Sequence, residues 1–532
     1  MIAPILIVGA GPAGLVLALL LRRNGIPIRI IDKNETSPVG SRASRLQPRT
    51  LELYKFLGIL REIEARAGAG SITIQVYTSP EGFGPINSFA IYEELIPHPA
   101  YHRINGLTIC QDDHEAILRQ VLEREYGVSV EFGTELISFE HAPNSVVARL
   151  VNTLNNTKET AQFDWLVGAD GVNSTVRKQL GLELEGYGAL ENDYVVGDVE
   201  AKIAHHTTRW KVWGNCIQRT LLLRPYTKNG KPYFQFTCGG HDINVANMAT
   251  KNRNELVNTM YDIIGNRRIE FGKAAQYDRA NTRMVHELIR ERVFLVGDAA
   301  HVHSPTGGLG INTSIQDSFN LAWKLSLVHK GLAPPKPLLN SYTSERVHVI
   351  AESLGKTKTK RTISKLPHTH KRPQSRDWDT RQFGISYRGG LITLDHDDPE
   401  AQLQAGDRAP ETPGLIVAST GQKKSLYDLF DCVSHTVIVF SSLCHSHPNV
   451  NLTSQLPSNV VKRVLVYPQG TEPGLIGDDA VIDADGYAFE HYEVKAKEQK
   501  VVVVRPDGYI GAMTGSTSGI MNYFASIFGW HL

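Results

Sequence analysis

No two of the five cysteines are spaced as a Cys-x-x-Cys pair: Cys110, Cys216, Cys238, Cys432 and Cys444 stand apart, and their number is odd. A disulfide framework, a zinc site and a thioredoxin-type redox pair are therefore unsupported. Long apolar runs are also missing. The stretch from Leu15 to Leu21 is too short to cross a bilayer, and Arg22 and Arg23 close it. No basic segment precedes the first apolar run, which leads straight into a glycine motif, so a secretory leader is not expected. Net charge is almost absent, at +1, which removes any overall attraction to nucleic acid or to an anionic membrane. Sequons occur at Asn155, Asn173, Asn312 and Asn451. Asn173 and Asn312 lie inside the motifs below, where a glycan would be intolerable. A reducing, cytoplasmic location is the expectation.

What is present is the composition of a soluble globular protein, 41% apolar and 21% charged, in a chain of 532 residues. That length exceeds one hydrophobic core and calls for two or three domains. No internal repeat is evident. Residues 5–8 read as a short buried strand; a helix follows and stops near Asn24-Gly25; a second strand, Ile28 to Ile31, ends at Asp32. This is a βαβ start. Two stretches, about 71–104 and 186–285, turn β-rich, with alternation at Ile72 to Tyr77, Trp210 to Trp213 and Tyr233 to Phe236. The basic run from Lys356 through Arg376 reads as a solvated helix end and loop. From about Gly406 a new α/β pattern begins, with strands at Gly414 to Ala418, Thr436 to Phe440, Arg463 to Tyr467 and Val501 to Val504.

Three motifs carry chemistry. The first is Gly9-Ala10-Gly11-Pro12-Ala13-Gly14, after a strand and before a helix. Gly9 permits the tight turn, Gly11 lets backbone N–H groups approach a pyrophosphate, and Gly14 allows close helix–strand packing. Asp32 follows at a spacing suited to a ribose hydroxyl. Strand, loop, helix, strand and acid in this order define a dinucleotide site. The second motif runs from Asp164 through Asp170-Gly171 to Arg177; Asp170 and Arg177 are candidate buried charges near phosphate or ribose, against the plainer reading of a βα turn with a surface arginine. The third runs from Arg292 through Gly297-Asp298, His301, His303, Pro305, Gly307-Gly308 and Gly310 to Ile311-Asn312, and then into a helix stopping at Gly331. Asp298 would end a buried strand, and the glycines would let the helix aim its N-terminus at an electron-rich ligand.

Together these motifs resemble the class A flavoprotein monooxygenases, the para-hydroxybenzoate and phenol hydroxylase group, over roughly residues 1–400. The resemblance implies an α/β protein: a Rossmann-like FAD-binding domain at 1–70, 105–185 and 286–355, and an inserted β-sheet substrate domain at 71–104 and 186–285. A linker at 356–404 would lead to a C-terminal domain at 405–532. The tail resembles the thioredoxin-like domain of phenol hydroxylases through Gly406-Asp407-Arg408-Ala409-Pro410, Leu426 to Leu429 and Arg505 to Tyr509. Without redox cysteines its expected role is structural or in dimerisation, with a homodimer as the expected assembly. The first motif would hold the AMP half of non-covalent FAD. The second would serve FAD and NAD(P)H, and the third the ribityl chain and pyrimidine through Asp298, Pro305, Gly308, Gly310 and the Ile311-Asn312 backbone. Arg42, in the segment from Ser41 to Glu52, and Gln111 are further implied FAD contacts.

The implied activity is NAD(P)H- and O2-dependent hydroxylation of a phenolic substrate through a flavin C4a-hydroperoxide, with or without decarboxylation. Epoxidation, Baeyer–Villiger insertion and dearomatising hydroxylation are alternatives on the same scaffold, and a non-enzymatic flavin-binding scaffold is a third reading. No second Rossmann motif serves NAD(P)H, as is usual in the group. Some phenol hydroxylases carry a catalytic Asp where this chain has Ser44, so the base is unassigned. Tyr101, His102, Arg103, Tyr226, Tyr233 and His286 are the candidates, each with a structural or surface role as its plainer reading. His301-x-His303 matches the family without metal. Trp210, Trp213, Phe234 and Phe236 suit either an aromatic pocket or a strand core.

Overall fold

The computed structural model describes residues 3–37, 45–68, 72–77, 85–92, 94–186, 194–203, 209–214, 218–228, 231–240, 242–243, 253–265, 269–280, 282–303, 308–363, 378–395, 401–441, 457–470, 480–495, 498 and 500–529. The helices that shape it are α1 (Pro12–Arg23), α2 (Pro48–Leu57), α3 (Gln111–Tyr126), α4 (Thr175–Gln179), α5 (Arg253–Ile264), α6 (Gly310–His329), α7 (Asn340–Ile363) and α8 (Thr517–Phe528).

Ile5–Val8, buried along its whole length, is central to a six-stranded sheet. Trp165–Gly168 and Ile28–Asp32 flank it in parallel. Val293–Leu295 and Glu131–Phe132 lie outside these, also parallel, and Ile289–Arg290 closes one edge antiparallel. Helix α1 stops where expected: the Asn24 side-chain amide donates to the Leu20 carbonyl, and Gly25 takes φ 73°. A three-stranded antiparallel sheet, Thr134–Ala142, Ser145–Asn152 and Lys158–Phe163, was not foreseen. Its two outer strands, Thr134–Ala142 and Lys158–Phe163, are polar and mostly exposed or half-exposed, so they carry a weak apolar pattern, and only the middle strand is well buried.

The two β-rich stretches meet in one seven-stranded sheet. Its order is Glu270–Ala280, Tyr194–Lys202, Lys231–Gly239, Thr220–Lys228, Trp210–Gly214, Ile72–Tyr77, Asn87–Tyr92. Ile72–Tyr77 joins Trp210–Gly214 in parallel, the seam between the two segments. Helix α5 covers one face, packing Leu256, Met260 and Ile263 against Val195, Val199, Leu221, Leu223, Phe234 and Phe236. Residues 94–104 do not continue this sheet. They turn towards the C-terminal segment, where the Ala100 carbonyl accepts from the Glu411 N–H (3.1 Å) and from Arg408 Nη2 (2.8 Å).

The C-terminal sheet has eight strands, including His435–Phe440, Val461–Pro468 and Lys500–Val504, close to the expected spans. Ile510–Thr514 escaped the sequence reading because Gly511 weakens its β pattern. That glycine is needed: a Cβ there would lie 2.2 Å from the Tyr523 hydroxyl of α8. The expected linker is not open chain throughout. Helix α7 runs to Ile363, Phe383 and Tyr387 are buried, Gln382 accepts from Gln316 Nε2 of α6, and Leu394–Asp395 joins the C-terminal sheet.

A buried ionic cluster binds this segment to the first domain. Glu345 on α7 accepts from Arg505 through both oxygens (2.7 and 2.9 Å) and from Lys324 Nζ of α6 (2.8 Å). Asp507 accepts from Arg505 and from the Trp323 indole. Nearby, Arg49 of α2 pairs with Glu52 and donates to the Asp507 carbonyl. A Cβ on Gly508 would strike the Phe56 ring at 2.5 Å. Such charges persist without water only while each is paired. Burial alone would raise the Glu345 carboxyl; Arg505 and Lys324 outweigh it and hold it at about 2. Its folded pKa is thus below the unfolded value, so its contribution to stability is complete above pH ~4.5 and is lost as pH falls from there towards 2. Glu345→Gln is expected to destabilise the protein by about 3–5 kcal/mol. Urea unfolding at pH 7 checks the loss, and the variant's stability should fall less steeply than wild type's below pH 4.5.

Candidate active site

The carboxyl ends of the three central strands open into one groove of about 330 Å³. Gly9, Ala10, Gly11, Asp32, Lys33, Asn34, Gln111, Glu115, Asp170 and Thr175 are among its lining residues. Gly9 has φ 105°, and its Cβ would lie 2.3 Å from the Ala169 carbonyl. A Cβ on Gly14 would lie 2.0 Å from the Gly9 carbonyl. These two glycines serve protein packing. Gly11 does not: among the described residues, nothing lies within 4 Å of a Cβ placed there. The space beside it is left for something else. Pro12 opens α1 without an N–H to satisfy, and the helix N-terminus beside the groove favours negative charge. The Asp32 carboxylate accepts from the Ala10 N–H (2.9 Å) and from the Asn34 backbone, so it is fixed at the strand end. Strand, bare glycine, helix tip and fixed acid fit a dinucleotide's pyrophosphate and ribose.

Asp170 lines the same groove, with its oxygens turned to the start of α4. It accepts from Ser174 Oγ (2.5 Å), Thr175 N (2.7 Å) and Val176 N (3.2 Å). Burial pushes its carboxyl above the ordinary value, against these hydrogen bonds. Arg177 is buried but donates to the Ala299 and Val172 carbonyls. It ties the second motif to the third and does not line the groove, contrary to the expected place beside a phosphate. Gln111, first residue of α3, is held by Glu115 through a 2.8 Å bond.

The third motif is brought to the first. A Cβ on Gly297 would lie 3.1 Å from both the Ala13 Cβ and Ser314 Oγ, and Ser318 Oγ donates to the Ala13 carbonyl (2.8 Å). Asp298 is exposed in the short turn Gly297–Ala299, beyond the buried strand and outside the lining of the groove. Gly308 has φ 63°, and among the described residues only His303 approaches the open α-carbon face of Gly310. Thr313 is the first α6 residue whose N–H reaches its own helix, at the Leu309 carbonyl, so the N–H groups of Gly310, Ile311 and Asn312 point outward from the helix tip. The Asn312 side chain is buried and does separate work: Oδ1 accepts from Gln47 N and Thr50 Oγ1, both at 2.7 Å, and Nδ2 donates to the Arg45 carbonyl. Arg42, Ser44 and Pro305 lie outside the described residues.

Asp317 was missed. It sits about two turns into α6, accepts from Gly297 N and Arg346 Nε, and meets His301 Nε2 at 2.6 Å. Burial would raise its carboxyl; His301 and Arg346 hold it below the ordinary value. A buried Asp within an apolar helical repeat was the available signal. Thr134, Glu135 and Leu136 also line the groove, from the unforeseen hairpin sheet.

The candidate bases sort by location. Tyr101 is covered by Arg408 and Phe383 and His102 meets Glu411, both at the C-terminal junction, whereas Arg103 pairs with Glu64 of the first domain. His286 pairs with Glu185 on the surface. Tyr226 and Tyr233 stay on the seven-stranded sheet, with rings stacked at 5.7 Å. Trp213, Phe234 and Phe236 pack under α5, whereas Trp210 lies under the Arg224 guanidinium on the opposite face.

A strand-end groove lined by two motifs distant in sequence defines a dinucleotide-binding α/β protein, and comparison with known proteins makes it specific. Residues 3–357 match the FAD binding domain family, and residues 430–529 match the phenol hydroxylase C-terminal dimerisation domain. A flavin-dependent monooxygenase of Mycobacteroides abscessus is 30% identical over 98% of this chain and 99% of its own length. The pentachlorophenol 4-monooxygenase of Sphingobium chlorophenolicum is 29% identical over 97% and 95%. The monooxygenase PieE, solved with FAD and substrate, shares the fold with a TM-score of 0.80 at 21% identity, covering 99% of each chain. The chain belongs to the class A FAD-dependent aromatic monooxygenases of the phenol-hydroxylase-like family. It is an FAD-binding enzyme with an inserted β-sheet substrate domain and a C-terminal dimerisation domain. No described helix is long and apolar enough to cross a membrane.

Gly11→Val is expected to abolish retention of FAD through gel filtration while leaving the apoprotein's unfolding midpoint unchanged, since a Cβ there meets none of the described residues within 4 Å. Gly14→Val should instead prevent folding. Flavin absorbance and circular dichroism separate the two.

Proposed function

We propose that this protein hydroxylates a phenolic substrate at the expense of NAD(P)H and O2, by the oxygen-transfer route that the sequence resemblance implies. The observation that carries the reading is the junction of Ala13, Gly297, Ser314 and Ser318, which joins the start of the chain to the tip of α6 across about three hundred residues. In this reading Gly9 to Gly14 and Asp32 take the AMP half of FAD, and Gln111, Asp170 and Asp298 line its ribose and ribityl portion. The outward N–H groups of Ile311 and Asn312 face its pyrimidine ring. Reduced flavin bound there supplies the activation of O2 to an electrophilic oxygen donor. The protein's own share is to hold the ring system, to place positive helix-end potential beside it and to keep water out. The relatives' printed substrate, pentachlorophenol, supports a phenol as the substrate class. The C-terminal match supports a homodimer.

NADPH oxidation is expected to be slow without substrate and faster with a suitable phenol. Oxygen uptake across a phenol panel tests this; no acceleration and no hydroxylated product with any phenol would refute the reading. Asp298→Ala should weaken FAD binding sharply, because the ribityl hydroxyls lose a charged acceptor. Stoichiometric FAD after gel filtration of that variant would contradict its assigned place.

A further inference from the structure

Three residues of α3, Gln111, Glu115 and Arg119, follow one another at intervals of four and so stack along one face of the helix. The first two line the cofactor groove, and Arg119 does not. Gln111 stands half-buried at the helix start, and Glu115, one turn deeper, is 3% exposed. A carboxylate in a groove read as a pyrophosphate site needs a reason, because like charges repel. Asp32 and Asp170 have theirs: backbone N–H groups hold their oxygens. Glu115 is held differently. Its Oε1 accepts from Gln111 Nε2 at 2.8 Å, and Arg119 Nη1 lies 3.7 Å from its Oε2. Its charge is thus balanced from the side away from the groove.

The bond from Gln111 settles which way its amide faces. A carboxylate only accepts, so only the NH2 end of the amide can meet it. The reverse placement would set two acceptors 2.8 Å apart. The amide oxygen is therefore turned away from Glu115. Gln111 Oε1 accepts from no described residue, and it is not sealed inside the protein. The groove wall presents a fixed acceptor at this point, and what it can take from a ligand is a donor. In a flavin dinucleotide the ribityl chain and the ribose offer hydroxyl donors, whereas the pyrophosphate offers none. An amide at position 115 would not do the same work, because an amide can accept or donate and would leave Gln111 free to turn over. It would also hold Gln111 less firmly, since a hydrogen bond to an ionised group is roughly twice as strong as a neutral one.

Resting on the FAD reading, we propose that Glu115 is a positioning residue of the cofactor site. It locks the Gln111 amide so that the amide oxygen accepts from one hydroxyl of the ribityl chain or of the ribose, and it makes the groove selective for a hydroxylated cofactor at that point. Arg119 balances the carboxylate without reaching the ligand.

The test measures FAD binding to the apoprotein by the change in flavin fluorescence, which requires no turnover. Wild type is compared with Gln111→Ala, Glu115→Ala, Glu115→Gln and the exchanged pair, Gln111→Glu together with Glu115→Gln. The ligands are FAD, FAD analogues that each lack one ribityl hydroxyl, and FAD built on 2′-deoxyadenosine. For wild type, one analogue should bind roughly 10-fold more weakly than FAD; which one does so separates the ribityl chain from the ribose. Gln111→Ala and both single Glu115 variants should bind FAD roughly 5–30-fold more weakly, and should lose nothing further with that analogue. In the exchanged pair a carboxylate faces the groove and the amide behind it donates, so FAD affinity should return to within about fivefold of wild type. A merely structural defect would not be repaired by that exchange. Glu115 variants that bind FAD as wild type does, or losses that add in full to the loss from the analogue, would overturn the role of Glu115 and leave the FAD reading standing. A wild-type apoprotein that takes up no FAD would remove both.

Discussion

Helix α6 is buried on nearly every side, yet it is lined with groups that cannot be left unpaired in a dry interior. Asn312, Asp317, Asn320 and Lys324 are at most 1% exposed. Each such group costs several kcal/mol unless it finds a partner. The requirement therefore dictates what must dock on the helix. Asn312 fixes the segment from Arg45 to Thr50, Asp317 fixes the Gly297 turn and His301, Ser318 fixes the first motif, and Asn320 and Lys324 fix Glu345. The same interactions that stabilise the core also set where the N–H groups at the helix tip point, the groups that the proposed reading assigns to the flavin.

The local sequence made half of this readable. Gly9, Gly11 and Gly14 act at fixed short range, and their roles follow from one turn of chain; the structure separates them into two packing glycines and one that leaves room. Asp32 was readable for the same reason. Asn312 was seen only as backbone, because its partners, Arg45 to Thr50, lie more than 260 residues away and no local pattern announces them. Arg177 looked like a phosphate ligand because a buried arginine after a strand–turn usually faces one. Here the Ala299 and Val172 carbonyls satisfy it. Asp317 and Arg346 are a pair across two helices, and charge alone does not reveal which of many acids meets which arginine.

The C-terminal segment likewise reads from sequence as an appended unit, and its strands largely were legible. Its attachment was not. Arg505 and Asp507 look like an ordinary turn, and only the three-dimensional arrangement shows them closing the charge account of α6 and α7. Gly508 is bare because Phe56 and Arg49 occupy the space its side chain would take. Any role in pairing two subunits is thus added to a role inside one.

The ionic cluster also imposes an order of events during synthesis. Glu345 leaves the ribosome 160 residues before Arg505 does, and Lys324 earlier still. Until that arginine emerges, Lys324 is the one cation among the described residues that pairs with the carboxylate, with Asn320 its neutral donor. Early collapse of the nucleotide half into its final packing is thereby discouraged. Final closure of the nascent chain waits for almost its last strand, and a ribosome that stalls before residue 505 releases a product with an unfinished interior, ready prey for proteolysis.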